Sequence, residues 1–360
     1  MTRKEFLGTA VGVTAAALAG SVADGQVASK PSNSFHLGVT LYSFNDEFYH
    51  YKYSLQDCME KVGSLGPGTG LELVGPQMID SWPEVSEEFE KTFKSLVEKY
   101  ELRLTAYDGY SDPRRIAGRV LTADENAEYI RIQVRSAKRL GFPILRLQFW
   151  PAMISGPGRG NIVPYAEKMG VKVGHEIHAP QSFASPALKE LIDTVQSVNS
   201  PFLGFVPDCG MFASSCAKPY LDKFTQMGVP APIREHIVEL WRQKTPLEQV
   251  FAEVKAMGGN DMAILMALES NMYFGHEDPQ SLKGIMPQII HCHGKFFGID
   301  PTTGEEPSVR YPEVVSVLKA GGFSGYMSSE YEGHHWMPGG DALWQVKSHQ
   351  AMVRKLLAKA

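Results

Sequence analysis

Four short stretches of the chain carry side chains able to hold a divalent cation. They are Gly174-His175-Glu176-Ile177-His178, Val206-Pro207-Asp208, His291-Cys292-His293-Gly294-Lys295 and Ser329-Glu330-Tyr331-Glu332. Taken singly, a glutamate at a strand end is usually solvated, and a strand histidine is usually a hydrogen-bonded core residue. Three carboxylates and an imidazole brought to one place are different, because they repel one another and lose hydration at a cost that a divalent cation removes. Oxygen-rich ligation with one imidazole favours Mn²⁺, with Mg²⁺, Co²⁺ and Zn²⁺ as alternatives, and open coordination positions would accept two neighbouring oxygens of a substrate. Side chains alternate along a strand, so Glu176 and His178 share a face, as do His291, His293 and Lys295, while Cys209 and Cys292 turn toward the helices.

The elements that must position these residues alternate along the chain. Candidate strands are Leu37–Ser43, Leu71–Val74, Leu102–Tyr107, Ile144–Phe149, Val171–Ile177, Leu203–Pro207, Ile289–Lys295 and Gly325–Ser329. Between them, apolar residues at three- and four-residue spacing predict helices over Ser54–Ser64, Glu84–Tyr100, Asn126–Leu140, Pro186–Val198 and Tyr311–Ala320. Eight βα units predict an α/β protein with the TIM (β/α)8 barrel fold. A doubly wound dinucleotide-binding sheet needs a glycine-rich turn after the first strand, and Tyr42-Ser43-Phe44-Asn45-Asp46 is not one. Barrel active sites lie at the C-terminal strand ends, where the four stretches fall. The sixth and seventh strands are too far apart for an ordinary connection, so a helical insertion is expected over about residues 212–285. Its patterned segments are Pro219–Met227, Ile233–Trp241, Pro246–Met257 and Asp261–Ser270, and decoration, a lid and a subunit interface are all open as its role. The glycine-rich connection Trp150 to Pro164 is a second candidate gate.

Composition limits the alternatives. With 43% hydrophobic and 21% charged residues the chain has the make-up of an ordinary folded protein. Glycine and proline leave no apolar run of the ~20 residues an integral membrane span needs. A formal charge of −5 disfavours nucleic acid as a partner. The opening Thr2-Arg3-Lys4-Glu5-Phe6-Leu7, the small apolar run Val11 to Ala19 and Ser21-Val22-Ala23 have the grammar of an export leader of twin-arginine type over residues 1–23, with a linker over 24–34 and the barrel over 35–360. That predicts a periplasmic or otherwise exported protein, or a cytoplasmic one if the leader is not used and the segment is a frayed helix. Cys58, Cys209, Cys216 and Cys292 form no CxxC pair and are expected as thiols, mostly buried.

Glu176, Asp208, His293 in its His-x-Lys setting, and Glu330 in Gly-Tyr-x-x-x-Glu resemble the xylose-isomerase-like sugar phosphate isomerase/epimerase superfamily over about residues 35 to 355. The resemblance implies a TIM barrel whose Glu, Asp, His and Glu hold one divalent metal chelated by adjacent oxygens of a sugar. The short step from Glu176 to Asp208 fits that superfamily, whereas the long step from Asp208 to His293 departs from its ketose epimerases. The insertion, together with Ser328-Ser329-Glu330-Tyr331-Glu332-Gly333-His334-His335, is more similar to the α subunits of bacterial C-glycoside deglycosidases. What that implies is enolisation of a 3-oxo-glycoside by removal of the C2 proton, with loss of the C1 aglycone and a small β subunit as partner. A homo-oligomer is the alternative assembly.

His178 is the candidate base, since an imidazole titrates near ambient pH, with Glu330 and Glu176 as rivals that could also serve as ligands. Lys295 could face a developing oxyanion or extend to solvent. His334 or His335 could protonate the leaving group. Trp150, Tyr107, Phe44 and Trp336 could stack on a sugar or aglycone, or belong to the core. Beside the lyase stand a ketose or keto-acid isomerase or epimerase, an exported barrel that binds sugar without turnover, and a metal nuclease, for which the extra ligands and basic groove are not evident.

Overall fold

A computed structural model describes residues 35–156 and 158–360. The expected leader and linker lie outside the described residues. Strands β1 (His36–Thr40), β2 (Gly70–Val74), β3 (Arg103–Asp108), β4 (Ile144–Leu147), β5 (Lys172–Ile177), β6 (Leu203–Pro207), β7 (Cys292–Phe296) and β8 (Tyr326–Tyr331) form one parallel sheet ordered β6-β5-β4-β3-β2-β1-β8-β7. The ends of that order meet. Parallel bridges join Phe205 to Ile289 and Asp208 to His293, and the Ile290 amide donates to the Phe205 carbonyl at 3.1 Å. A Cβ on Gly204 would sit 2.4 Å from the Gln288 carbonyl oxygen, so a glycine is what allows β6 and the approach to β7 to come together. The fold is a TIM barrel.

The connecting helices are well delimited where the sequence supplies caps. Ser54 and Thr122 each form a capping box, with Asp57 and Glu125, at the starts of Leu55–Gly63 and Ala123–Leu140. Ser185 accepts from the Leu188 amide, and Pro186 sits at the first helical position of Pro186–Val198. Such a cap is worth about 1 kcal/mol, small beside the apolar layer that joins helices to sheet through Phe93, Leu140, Phe142, Val314 and Leu318, all essentially buried.

Several boundaries differ from the sequence reading. β1 stops at Thr40, whose side chain accepts from the Tyr42 amide and turns Leu41–Phe44 into a 3₁₀ helix. The seventh strand begins at Cys292, since Ile289 and Ile290 only bridge to β6. β8 runs two residues further than expected, so Glu330 lies within the strand. Trp150 to Pro164 contains the short helices Ala152–Ser155 and Gly158–Gly160 rather than open loop.

The insertion folds as helices Lys218–Gln226, Ala231–Arg242, Leu247–Ala256 and Asp261–Tyr273, followed by 3₁₀ turns to Gln288. Its last helix is fastened to the loop after β8, where the Trp336 indole donates to Glu269 at 2.8 Å and stacks on Phe274. No helix among the described residues is long and apolar enough to cross a membrane. All four cysteines are buried free thiols.

Candidate metal centre and active site

The inward-facing positions at the C-terminal rim carry the charge. β5 contributes Glu176, the residue after β6 is Asp208, β7 contributes His293 and Lys295, and β8 contributes Glu330, with Glu332 just beyond. One ligand atom from each of Glu176, Asp208, His293 and Glu330 lies within 4.8 Å of every other, and all four residues are buried. Nδ1 of His293 is 2.8 Å from Oε1 of Glu176 and 3.1 Å from Oε2 of Glu330. Nζ of Lys295 is 2.9 Å from Oδ2 of Asp208 and 3.1 Å from Oε2 of Glu332. His293 Nδ1, Glu330 Oε2 and Asp208 Oδ2 are nevertheless buried without a well-directed hydrogen bond. Close but misdirected polar atoms converging on one point are what a cation between them would satisfy, so the donor set fits a divalent metal.

Above the quartet opens a cavity of about 370 Å³, within the range of small-molecule sites, walled by Tyr42, Asp108, Tyr110, Arg146, Gln148 and His178 among others. The insertion supplies Met272 and Tyr273 to the same wall. Nδ1 of His178 lies against its neighbour's carbonyl, Ala179 O, and must carry the proton, which leaves Nε2 as an acceptor 2.7 Å from the Gln148 amide nitrogen. On the opposite side the Tyr42 hydroxyl donates to Glu332 at 2.6 Å.

Burial raises every acid here, and specific partners decide the outcome. Burial works against ionised Glu176, yet Arg146 above all, with His293, outweighs it and holds its pKa well below the ordinary range. Glu330 is likewise brought to about 2 by Lys295 and His293 against the pull of burial. Asp208 goes the other way, to about 6, because burial together with Glu330 and Glu176 exceeds the help from Lys295. Burial disfavours the charged forms of His293 and Lys295, but their carboxylate neighbours keep both cationic.

Some residues expected at the site lie elsewhere. Tyr107 does not reach the cavity: Asp108 takes the inward position at the end of β3, so its neighbour turns outward, packs against Phe142 and fills the space left by the missing side chain of Gly75. Trp150 is partly exposed and lines an adjacent hollow with His175 and Gln181, separated from the main cavity by Gln148. His334 is half-buried between the rings of Tyr42 and Tyr331, whereas His335 is exposed with Nε2 3.2 Å from the Tyr273 hydroxyl. Phe44 and Trp336 are buried in the core.

Other charged residues at the site were not anticipated. Arg146 on β4 reaches Glu176 at 2.9 Å and lies 3.6 Å from Asp108, and Glu72 on β2 is enclosed beneath His293. The only sequence signal for each was a charge in an otherwise apolar strand, as in Gly70-Leu71-Glu72-Leu73-Val74.

No protein-family model matches the chain. It is 32% identical over 336 residues to the 3'-dehydrocarminate deglycosidase alpha subunit of a Microbacterium species, covering 90% of this chain and 95% of that one. It is 35% identical over 337 residues to a C-glycoside deglycosidase alpha subunit of Arthrobacter globiformis, covering 90% and 91%. Among solved structures, a sugar phosphate isomerase/epimerase from Parabacteroides distasonis superposes with a TM-score of 0.52 at 12% identity, over 92% of this chain and 96% of that one, a likeness of fold.

Proposed function

The chain belongs to the family of C-glycoside deglycosidase alpha subunits, and from that premise we propose that it is a divalent-metal-dependent lyase acting on a 3-oxo-glycoside. The observation that carries the reading is the convergence of Glu176, Asp208, His293 and Glu330 within 4.8 Å beneath a sugar-sized cavity. In this reading those four residues hold the ion, Mn²⁺ first, with Mg²⁺, Co²⁺ or Zn²⁺ as alternatives. The ion supplies Lewis-acid polarisation of the sugar's C3 carbonyl, which acidifies the proton on C2.

The chain's own groups supply the rest. His178 takes the C2 proton on Nε2, the nitrogen its Ala179 contact leaves unprotonated. The electron pair of the broken C–H bond passes to the C3 oxygen, and Lys295 places positive charge on that side of the cavity. When the carbonyl re-forms, the pair becomes a C1–C2 double bond, the C1–aglycone bond breaks, and the aglycone takes a proton from an acid. His334 and His335 are the candidates for that acid, acting through the hydroxyls of Tyr42 and Tyr273, which line the cavity beside them. Glu176 and Glu330 are alternative proton carriers. Trp150 in the adjacent hollow is the candidate contact for an aromatic aglycone.

The relatives' designation as alpha subunits supports a small β subunit as partner, with a homo-oligomer as the alternative. The leader-like residues 1–23 support export to the periplasm, which fractionation of the native host's cells tests.

The deciding experiment incubates the Mn²⁺-loaded protein with a 3-oxo-glucoside of a phenol or flavonoid in heavy water and follows the products by NMR. Aglycone release that a chelator blocks is the expected result. Deuterium uptake beside the carbonyl without release would instead make the protein an isomerase or epimerase. Neither signal from metal-loaded protein, with or without a candidate β subunit, would leave a barrel that only binds.

A further inference from the structure

Beneath the quartet, β2 carries a carboxylate that the proposed reaction does not use. Glu72 is completely buried, with Oε1 2.7 Å from Nε2 of His293 and Oε2 2.8 Å from Nε2 of His291. His291 Nε2 is in turn 3.1 Å from the Ser328 hydroxyl on β8. The opposite edge of the His293 ring presents Nδ1 to Glu176 and Glu330. Glu72, His291 and His293 are close enough to suggest a second cation site. Against that, Glu72 contacts both imidazoles at hydrogen-bond distance and none of the three residues lines the cavity, so the space an ion would need is taken.

We propose that Glu72 is a positioning residue for the metal centre. It accepts the Nε2–H of His293, which fixes the ring's rotation and leaves Nδ1 turned toward Glu176, Asp208 and Glu330, where a bound ion would take the place of its proton. His291, steadied by Ser328, holds the second oxygen of Glu72 so that the carboxylate cannot swing away. A ligating histidine whose far nitrogen is held by a carboxylate binds its ion more tightly, because the ring is pre-oriented and its donor nitrogen is made more basic. The same arrangement explains why a strand otherwise composed of Gly70, Leu71, Leu73 and Val74 buries an acid.

This role rests on reading the quartet as a metal centre, and the test separates the two. Mn²⁺ affinity of the full-length protein, stripped of metal, is measured from the free-ion EPR signal, and the absorption spectrum of the Co²⁺-substituted protein is recorded. Urea unfolding of the metal-free protein controls for folding. Glu72→Gln is expected to fold, to bind Mn²⁺ about 10–100-fold more weakly and to shift the Co²⁺ bands. A Glu72→Gln protein with affinity within about twofold of wild type and an unchanged Co²⁺ spectrum would overturn the positioning role while leaving the metal centre intact. Wild-type protein that takes up no divalent ion would sink the metal centre and this role with it. If Glu72→Gln does not fold, His291→Gln is measured in its place: weakened Mn²⁺ binding supports the role, and unchanged binding overturns it.

Discussion

Nη2 of Arg146 sits 2.9 Å from Oε1 of Glu176, joining the end of β4 to a member of the candidate quartet on β5. The guanidinium is half-buried in the cavity wall, and Asp108 lies on its other side at 3.6 Å. One cation thus stands between the Glu176 carboxylate on β5 and Asp108 on β3, whose pKa burial and the nearby Glu72 push well above the ordinary range despite the guanidinium. Burial disfavours the charged guanidinium, but Glu176 and Asp108 more than restore it, so it stays ionised.

Removing that cation takes from buried Glu176 the partner that does most to hold it ionised, leaving His293 to offset its desolvation. Arg146→Met should therefore destabilise the metal-free protein by about 3–5 kcal/mol, far more than loss of a surface pair. Urea denaturation monitored by tryptophan fluorescence measures it. Arg146→Lys, which keeps the charge but not the fork that spans Glu176 and Asp108, should fall between the two. A loss below about 1 kcal/mol for Arg146→Met would mean that Glu176 is neutral or solvated in the folded protein.

The quartet itself is tested by metal retention. Asp208→Asn and His293→Ala should each lose bound Mn²⁺ on dialysis and lose activity together, while His291→Ala should bind metal more weakly without emptying the site, because His291 reaches the quartet only through Glu72. Elemental analysis after dialysis reads all three. Metal lost from His291→Ala but kept by His293→Ala would exchange the roles assigned to these two histidines on β7 and its approach.

His178→Ala should retain metal and lose turnover by about 10²–10⁴, the usual contribution of a positioned base. The side chain is 3.8 Å from Oε2 of Glu176 at its nearest, within the cavity wall and outside the four-residue cluster. Steady-state kinetics paired with elemental analysis separates the possibilities. Loss of metal together with loss of rate would make His178 a ligand.

Much of this site was legible because a barrel converts position in a strand into position in space. Glu176, Asp208 and Glu330 each stand at or just past a C-terminal strand end, His293 near the start of β7 lies level with Asp208 across the barrel seam, and alternation with the barrel rule brings the four together. Pro186–Val198 and Tyr311–Ala320 were legible to both ends because proline at the start and Asn199 or Gly321 at the finish mark them. Glu72, Asp108 and Arg146 were not legible, since each is a lone charge whose partner lies on another strand and is set by the barrel's stagger. Tyr107 shows the limit of counting in twos: the β2–β3 register shifts between Leu71 and Glu72, and at the end of β3 Asp108 is the residue that turns inward. Trp150 lies past the end of β4, where strand parity no longer fixes a side chain's direction.

Acid sensitivity should come in part from the wall behind the site. His349 on the C-terminal helix is fully buried, stacked on Phe296 at 4.3 Å between ring centres, with Nδ1 2.9 Å from the Ser329 hydroxyl. Burial alone lowers its pKa from 6.5 to about 3, so the folded protein holds the imidazole neutral. The unfolded chain takes up its proton as pH falls through 6.5, whereas the folded protein cannot until about 3. The contribution to stability is therefore complete above pH 6.5 and is lost progressively as pH falls toward 3, by about 1.4 kcal/mol per pH unit, or about 2 kcal/mol at pH 5. His349→Phe keeps the stack on Phe296 and removes the titrating group. It costs some stability at every pH by leaving Ser329 without its partner, but its urea-unfolding free energy should fall about 2 kcal/mol less between pH 7.5 and pH 5 than that of the wild type. His175, lowered by burial to about 4, acts in the same direction in both proteins and cancels in the comparison. Parallel pH profiles for the two proteins would mean that His349 is charged, or reached by water, in the folded state.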